Sequence, residues 1–510
     1  MVDKKKRNLA ILLLFVLGLA LRLFLLCHSN YTADDSFITY RYAENVSAGA
    51  GFVYNPGEKV LGTTTPLYTL LLSLLIKTGL DTNSLGKGIN ILADCLAGVL
   101  IFLLLMNYKF CFAFLASLFY LFFPRVMVWS ISGMETGLYL FLISLSFYFY
   151  RGKNFYLLPI FLALAFLTRF EGLILLVALS LDYLLKQKKL PLRMIGFTFL
   201  LTLPWLVFAT FYFGSPIPNS IWAKKVLYQG VLQTPKEMIL WKFLILKTKI
   251  GWLILASSIF GIYRILRKAK ELNFIIIWTL LYVCFYFFAG TRIHIWYSVP
   301  FYLGYLILAA QGLVFLYENL SWFLEKVSKR KKQLLGLREI RFAILIFLIS
   351  ISLFVYWKQL KRTFRLARNE QIVLGQIHKK MALWLKGNSD IGDTVSIGDI
   401  GYVGYFSQRY ILDQAGLVSP QAIPFNRKQD RLGLVQRYKP RYFVLGLQGP
   451  FYEKVINSDW FENNYKLLKR FDILNVKNNE LGIDFSQPDF ATAPEYAIYK
   501  RMEILDSRIY

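Results

Sequence analysis

The sequence has few acidic residues and few of the side chains that bind metals or form disulfides. Its 510 residues include 31 Asp and Glu against 59 Lys and Arg, with only four cysteines and three histidines. The cysteines lie in or beside apolar runs without CxxC spacing, so disulfides and a zinc site are not expected: Cys27, Cys95, Cys111 and Cys284. HExxH, GxSxG, GxGxxG and P-loop patterns are all missing, which argues against a zinc hydrolase, a serine hydrolase and an ATP-driven transporter.

Apolar residues are abundant and come in long runs. Hydrophobic residues make up 56% of the chain and charged residues 18%, compared with about 25% charged in soluble domains. This pattern predicts a polytopic α-helical membrane protein. The candidate membrane segments are 9–27, 63–79, 88–106, 110–124, 136–150, 155–168, 170–185, 194–213, 249–266, 272–290, 298–317 and 341–357.

The net charge of +28 sits largely in short basic clusters beside these runs, which is typical of cytoplasmic membrane anchors and does not indicate nucleic-acid binding. We predict a protein of the plasma (inner) membrane, and the basic cluster Lys4–Arg7 predicts that its N-terminus lies in the cytoplasm. Alternation between the other clusters then requires one candidate not to span. The short segment 63–79 is the best suspect, which leaves about 11 transmembrane helices and an extracytoplasmic C-terminus. The alternative is that the segments between 88 and 124 are divided wrongly.

The composition changes at about residue 358, where charges become frequent and apolar runs shrink to strand length. An amphipathic stretch at 367–386 precedes the first strand-like run. We therefore predict a transmembrane catalytic domain at 1–357, with a first extracytoplasmic loop at 28–65. A soluble extracytoplasmic α/β domain follows at 358–510 and is a candidate carbohydrate-binding module.

Two adjacent acids, Asp34 and Asp35, follow the first apolar run. A carboxylate at a membrane surface could take a proton from an attacking hydroxyl, and a second could orient the first, bind sugar hydroxyls or hold a cation. The alternative is structural, because acids in the first turn of a helix are favoured by its dipole.

Other charged residues interrupt apolar stretches. Arg169 and Glu171 flank Phe170, and Glu135 precedes a span, so each is a candidate for a substrate cavity, an ion pair or a helix cap. Arg292 and His294 alternate with apolar residues and would face the same way if extended, so they could hold a lipid-linked phosphate. Two aromatic residues that suit a membrane interface follow them: Trp296 and Tyr297.

The first loop resembles a known family. Asp34-Asp-Ser-Phe-Ile-Thr-Tyr-Arg-Tyr-Ala-Glu-Asn, followed by Gly-x-Gly-Phe-Val-Tyr-Asn-Pro-Gly-Glu, is similar to the first-loop signature of GT-C polyprenyl-phosphate-sugar glycosyltransferases. The mycobacterial terminal β-(1→2) arabinofuranosyltransferase group is the closest look-alike. Four further stretches resemble that group: Ser132-Gly-Met-Glu-Thr136, Leu167-Thr-Arg-Phe-Glu-Gly172, Gly398-Asp-Ile-Gly-Tyr-Val-Gly-Tyr405 and Asp413-Gln-Ala-Gly-Leu-Val-Ser-Pro420.

The resemblance implies an inverting arabinosyl- or mannosyltransferase-like enzyme that uses a polyprenyl-phosphate sugar at the outer membrane face. The acceptor would be a cell-envelope glycan, or a protein or lipid. Asp34 would be the general base and Asp35 its partner. No permanent metal site is expected, but some branches of the family use a divalent cation, and such a cation would lie near these acids. Donor phosphate would be held by Arg292, His294 and Arg169. Further substrate contacts would come from Arg41, Glu58, Glu135, Glu171, Trp296 and Tyr297.

This chain departs from the family pattern at Phe170 and at Val60–Thr64, so sugar and acceptor identity do not carry over. Two other functions stay open. A transporter or flippase for lipid-linked sugars would explain intramembrane charges but not the elaborate first loop. A non-catalytic scaffold that binds glycan would explain the outer domain but gives the paired acids no role.

Overall fold

A computed structural model describes residues 3–228, 239–289, 292–331, 356–447, 450–472 and 495–502. Within these residues the chain is mainly helical, with one small sheet near the C-terminus. By contacts it divides into two units, each assembled from three separate stretches. We call them the helical unit (1–29, 86–204 and 232–365) and the sheet unit (30–85, 205–231 and 366–510).

The first fourteen helices coincide with the predicted apolar segments, apart from those at 34–47, 124–130 and 219–227. Their bounds are α1 Lys4–Ser29, α2 Asp34–Ser47, α3 Pro66–Leu75, α4 Thr82–Leu105, α5 Phe110–Leu121, α6 Pro124–Ser130, α7 Thr136–Arg151, α8 Leu158–Thr168, α9 Gly172–Gln187, α10 Leu192–Phe213, α11 Asn219–Leu227, α12 Lys249–Lys268, α13 Asn273–Phe288 and α14 Ile295–Lys331.

Six helices in the described residues are long and apolar enough to cross a membrane, so the chain is a multi-pass membrane protein. These are α1, α4, α10, α12, α13 with its preceding turn, and the first 26 residues of α14. A seventh span results if α5 and α6, bent by 58° at Pro124, count as one.

The described residues therefore contain fewer transmembrane helices than the predicted number of about 11. The helices α7, α8 and α9 have 16, 11 and 16 residues, which is short of a full span. Most of the candidate 341–357 lies outside the described residues. The segment 63–79 folds into α3 and one 3₁₀ turn that ends at Thr78, which is too short to span, as predicted.

The C-terminal region forms the predicted α/β domain. A helix over residues 356–373 (α15) continues through a π turn, Leu374–Lys379, into α16 (Lys380–Asn388), which confirms the helical prediction for 367–386. The other helices are α17 Ile400–Ser407, α18 Ile423–Arg427, α19 Arg431–Tyr438, α20 Pro450–Ile456 and α21 Asp459–Asn464. The strands are β1 Thr394–Ile397, β2 Tyr410–Asp413, β3 Tyr442–Gly446, β4 Tyr465–Asp472 and β5 Glu495–Arg501.

The five strands lie in the order β2-β1-β3-β5-β4, with β1 parallel to β2 and β3, and β5 antiparallel to β3 and β4. Apolar side chains from the sheet pack in one core with α15, α16 and the first loop. That core includes Tyr42 and Phe52 from the loop beside Val395 and Ile498 from the sheet. The first loop therefore belongs structurally to the sheet unit, whereas the division of the chain at 357/358 into separately folding domains stays a prediction.

Candidate active site

The paired acids begin α2, as the structural interpretation of the sequence required. The Asp34 carboxylate also accepts two backbone N–H bonds from the start of α17: Gly401 N lies 3.0 Å from Oδ2 and Tyr402 N lies 2.9 Å from Oδ1. The first N–H groups of a helix have no partner within the helix and carry a partial positive charge, so a carboxylate suits them well. Asp34 is thus the anionic cap of a helix 367 residues further along the chain.

Two glycines of α17 allow this close approach. A Cβ at Gly401 would lie 2.0 Å from the backbone oxygen of Asp34, and one at Gly404 would lie 1.7 Å from the Tyr54 hydroxyl oxygen. The same hydroxyl donates to the Ile400 carbonyl at 2.6 Å. The Gly398–Tyr405 motif therefore forms the surface of α17 on which the first loop docks.

Arg41 and Glu58, predicted to bind substrate, hold the first loop against this surface. Arg41 is buried and donates to the carbonyls of Gly404 at 2.7 Å and Arg409 at 2.8 Å. Glu58 accepts a hydrogen bond from the Tyr410 hydroxyl and another from the Asn55 amide. These contacts favour a structural role for both residues.

Asp35 differs from its neighbour in its partners. Both acids are half-buried, but within the described residues the structure shows no hydrogen bond to the Asp35 carboxylate. Burial raises the pKa of Asp35 above its ordinary value; the positive charge of Lys224, on α11, lowers it, while Asp34 and Asp399 raise it further. A partly accessible carboxylate with a raised pKa is better suited to accept a proton than one committed to a helix cap. The geometry therefore favours Asp35 over Asp34 as the base.

Sequence reasoning missed Lys224 because a basic residue that follows a span is typical of a membrane anchor. The position of α11 explains how Lys224 is placed. Asn219, its first residue, donates from its side-chain amide to the carbonyls of Gly416 and Leu417, at 2.7 and 2.9 Å. Its backbone N–H donates to the Leu61 carbonyl at 2.8 Å. The start of α11 is thus bonded to both the first loop and the Asp413–Pro420 motif.

The Asp413–Pro420 motif is a loop shaped by one buried carboxylate. Asp413 accepts N–H bonds from Ala415, Leu417 and Val418 at 2.8, 2.5 and 3.1 Å. Burial raises the pKa of Asp413 to about 6, against the opposing effect of these N–H groups. The motif is thus explained by backbone geometry and needs no contact with a substrate.

In the helical unit, the structure brings together four of the predicted residues: Arg169, Glu135, Glu171 and Tyr297. Arg169 is buried and pairs with Glu135 at 2.8 Å and Glu171 at 3.0 Å. The ring of Tyr297 lies 5.5 Å from the guanidinium carbon, and the Tyr286 hydroxyl donates to Glu171. One cation between two carboxylates opposes the approach of a phosphate, so the contacts favour a structural role for Arg169, Glu135 and Glu171.

The predicted phosphate-binding residues Arg292 and His294 also lie in the helical unit, just before α14. Exposure alternates along this stretch as predicted, since Arg292 is exposed, Ile293 is buried and His294 is half-buried. The His294 ring stacks on Trp296 with centroids 4.4 Å apart and an interplanar angle of 15°. Trp296 in turn contacts Trp129 at 5.2 Å. Arg292 therefore remains the better candidate for a phosphate contact.

A divalent cation fits poorly at the paired acids. Both oxygens of Asp34 already accept N–H bonds, and Asp35 lies near the charge of Lys224. Among the described residues, no group of three or more His, Cys, Asp or Glu side chains is arranged to hold a metal. No step below passes through a metal ion.

Comparison with known proteins addresses the fold. A crystal structure of ArnT from Cupriavidus metallidurans bound to undecaprenyl phosphate is similar over 96% of this chain and 97% of its own, with a TM-score of 0.58 and 13% identity. The apo structure of the same protein matches 88% of this chain and 94% of its own, with a TM-score of 0.57 and 12% identity. The chain has a GT-C fold.

Sequence comparisons reach less far. A family model described as a domain of unknown function, DUF8728, matches residues 363–499, which include α17 and most of the sheet. No curated protein matches the chain. The similarity to ArnT shows the fold alone, and membership of the arabinofuranosyltransferase group stays a prediction.

Proposed function

We propose that this chain is a glycosyltransferase that moves a sugar from a polyprenyl-phosphate donor to a hydroxyl of an extracytoplasmic acceptor. The observation that carries the proposal is the asymmetry of the paired acids. Asp34 is fixed by two backbone N–H groups, while Asp35 accepts no such bonds within the described residues and lies near Lys224. The undecaprenyl phosphate bound to ArnT supports a polyprenyl-linked donor.

The reaction is a single displacement. The acceptor oxygen attacks the anomeric carbon as the bond from that carbon to the phosphate oxygen breaks, and polyprenyl phosphate leaves with the electron pair. The acceptor proton passes to Asp35, and the configuration at the anomeric carbon inverts. The phosphate is already a good leaving group, so the enzyme mainly positions its substrates and balances charge. Arg292, with His294 beside it, is the proposed contact for the phosphate.

We place the reaction at the outer face of the plasma membrane, with the N-terminus in the cytoplasm and the C-terminal domain outside. A cell-envelope glycan is the proposed acceptor, as the resemblance of the first loop to the GT-C family implies. The C-terminal domain would then help to bind this glycan.

The test is an activity screen of the purified full-length protein in lipid nanodiscs with a panel of polyprenyl-phosphate sugars and oligosaccharide acceptors. Release of polyprenyl phosphate and formation of glycosylated product are measured together. We expect Asp35→Asn to lower kcat by about 10²–10⁴-fold, because the acceptor proton loses its base. Asp34→Asn should cost less, since the amide oxygen can still accept one N–H bond.

Asp459→Asn is the matched control, because Asp459 is an exposed acid in the first turn of α21. It should retain wild-type activity. Near wild-type transfer by Asp35→Asn would remove Asp35 from the role of base. Movement of lipid-linked sugar across vesicle membranes without any glycosylated product would contradict the proposed transferase function and favour a transporter.

A further inference from the structure

A buried histidine lies beside the paired acids, and the proposed reaction leaves it without a role. His378 sits in the π turn Leu374–Lys379 and is completely buried. Neither ring nitrogen has a hydrogen-bond partner among the described residues. Buried polar groups are nearly always hydrogen-bonded, and π turns inside helices are frequent at functional sites. The position of His378 therefore calls for an explanation.

The surroundings of His378 are acidic. Its Nδ1 lies 3.6 Å from Oδ1 of Asp34, which is an ion-pair distance just beyond a hydrogen bond. The edge of its ring contacts Tyr496, with centroids 5.0 Å apart, and the Tyr496 hydroxyl donates to Asp399. The titratable and charged groups around it come from five elements or their flanks: Asp34, Glu370, Asp399, Tyr496 and, beyond Asp399, Arg431.

Burial alone would favour the neutral imidazole. It lowers the pKa of His378, but the Asp34 carboxylate, together with the charges of Asp399 and Glu370, raises that pKa above its ordinary value. The charged form thus has a partner 3.6 Å away, whereas the neutral form would be a buried ring without a hydrogen bond.

We propose that His378 is a positioning residue for the transfer reaction, whose imidazolium pairs with Asp34 and thereby fixes the start of the helix that presents Asp35. This inference rests on the proposed function. The pairing holds the Asp34 carboxylate against the N–H groups of Gly401 and Tyr402. It also offsets the negative charge of Asp34, which otherwise raises the pKa of Asp35.

Two measurements on the full-length protein test this role. The first is nitrogen NMR of labelled histidine, which is practicable because the chain has only three histidines. His378→Gln assigns the His378 signals. We expect His378 to be protonated at pH 7, and Asp34→Asn to lower the pH of its titration by about one unit. The exposed His28 should be unaffected. A neutral His378 at pH 7, or a titration unchanged by Asp34→Asn, would overturn the pairing.

The second measurement is the pH profile of transfer. His378→Gln is close in size and uncharged, and it should lower kcat about ten- to a hundredfold at pH 7 with donor KM within about twofold, because Asp35 is displaced while the donor site is intact. It should also remove the alkaline limb of the kcat profile, which in the wild type reports loss of the His378 proton. His28→Gln is the matched control and should leave both the rate and the profile unchanged.

A His378→Gln profile parallel to that of the wild type would reject the positioning role, even if kcat fell through loss of stability. The midpoint of thermal unfolding, measured on the same samples, identifies such a loss. If the wild type transfers no sugar to any acceptor, the proposed function fails and this role with it, whereas the NMR titration still decides whether His378 and Asp34 are paired.

Discussion

The two units of this protein bury charges in different ways. In the helical unit, Arg22 and Asp94 are completely buried and form an ion pair in which Nε lies 2.7 Å from the carboxylate. The Tyr120 hydroxyl also donates to Asp94, and Arg22 donates to two backbone carbonyls. Arg169 is held in the same way by two glutamates. Each buried arginine thus has carboxylate partners at hydrogen-bond distance.

In the sheet unit, acids outnumber their cations. Four carboxylates lie in one cluster, and three of them have a pKa raised mainly by burial: Asp35, Glu370 and Asp399, with Asp34 beside them. The cations that act on them are His378, Lys224 and Arg431. An arginine with carboxylate partners at hydrogen-bond distance holds helices together, whereas an acid-rich cluster with raised pKa values can exchange protons. The difference separates charges that maintain the fold from charges suited to chemistry.

The largest loss of stability should come from removing the arginine of a buried ion-pair cluster. Arg169→Met leaves Glu135 and Glu171 buried without a cation, so we expect the free energy of unfolding to fall by about 3–5 kcal/mol. Thermal unfolding in detergent measures this loss. Arg193→Met replaces an exposed arginine of α10 and should change the stability little. A cost similar to that of the control would contradict the structural role given to Arg169.

A smaller effect should come from the docking surface on α17. Gly401→Ala places a methyl group 2.0 Å from the Asp34 carbonyl oxygen, so backbone must shift. We expect a stability loss of about 1–3 kcal/mol, together with reduced transfer, because the displaced residue adjoins the candidate base. Gly398→Ala in the same motif is the control, because its Cβ would meet nothing closer than 4.0 Å. Equal behaviour of the two variants would show that the docking of the first loop is not tight.

The smallest effect concerns pH. Burial raises the pKa of Glu370 from 4.5 to about 7, and Asp34 and Asp35 add to the rise, against Tyr31 and His378. A carboxyl group with a raised pKa in the folded state stabilises the fold in its protonated form, so its contribution is lost as the pH rises from about 4.5 through about 7. The raised pKa of His378 acts in the same direction, since its contribution is lost as the pH rises above the ordinary histidine value.

Glu370→Gln removes this acid while keeping its shape. We expect the variant to be more stable than the wild type at pH 8 by about 1–2 kcal/mol, a figure reduced for partial exposure, and close to it at pH 5. Thermal unfolding at the two pH values is the measurement. Glu453→Gln, at an exposed position in α20, should show no such pH dependence. An equal response of both variants would remove Glu370 from the acidic cluster.

Much of the helical fold could be predicted because a bilayer requires long apolar segments. The prediction extended one span to residue 124, but that helix ends at Leu121, and α6, which begins at Pro124, is bent by 58° from it. Short apolar runs in the sequence predict the strands β1, β3 and β5, but β2 and β4 were not predicted. Both lie at an edge of the sheet, and residues Lys466–Arg470 of β4 are all exposed, so β4 lacks the apolar alternation on which strand prediction depends.

The candidate site could be predicted only in part. Adjacent acids after a first span are visible in the sequence, but the N–H groups that hold Asp34 come from residues more than 360 positions away. The same distance hides the role of Arg41, whose acceptors are the carbonyls of Gly404 and Arg409. A charge pattern shows which residues can ionise, whereas their partners depend on tertiary contacts.

The cap that Asp34 places on α17 has a consequence for how the protein is made. The ribosome synthesises the first loop before the helix start that binds Asp34, which emerges 367 residues later. The loop therefore lacks its final hydrogen bonds until that helix has been made. Nascent chains that stop before this helix would carry the paired acids without the partners that shape them. The candidate site would then form only after α17 has left the ribosome.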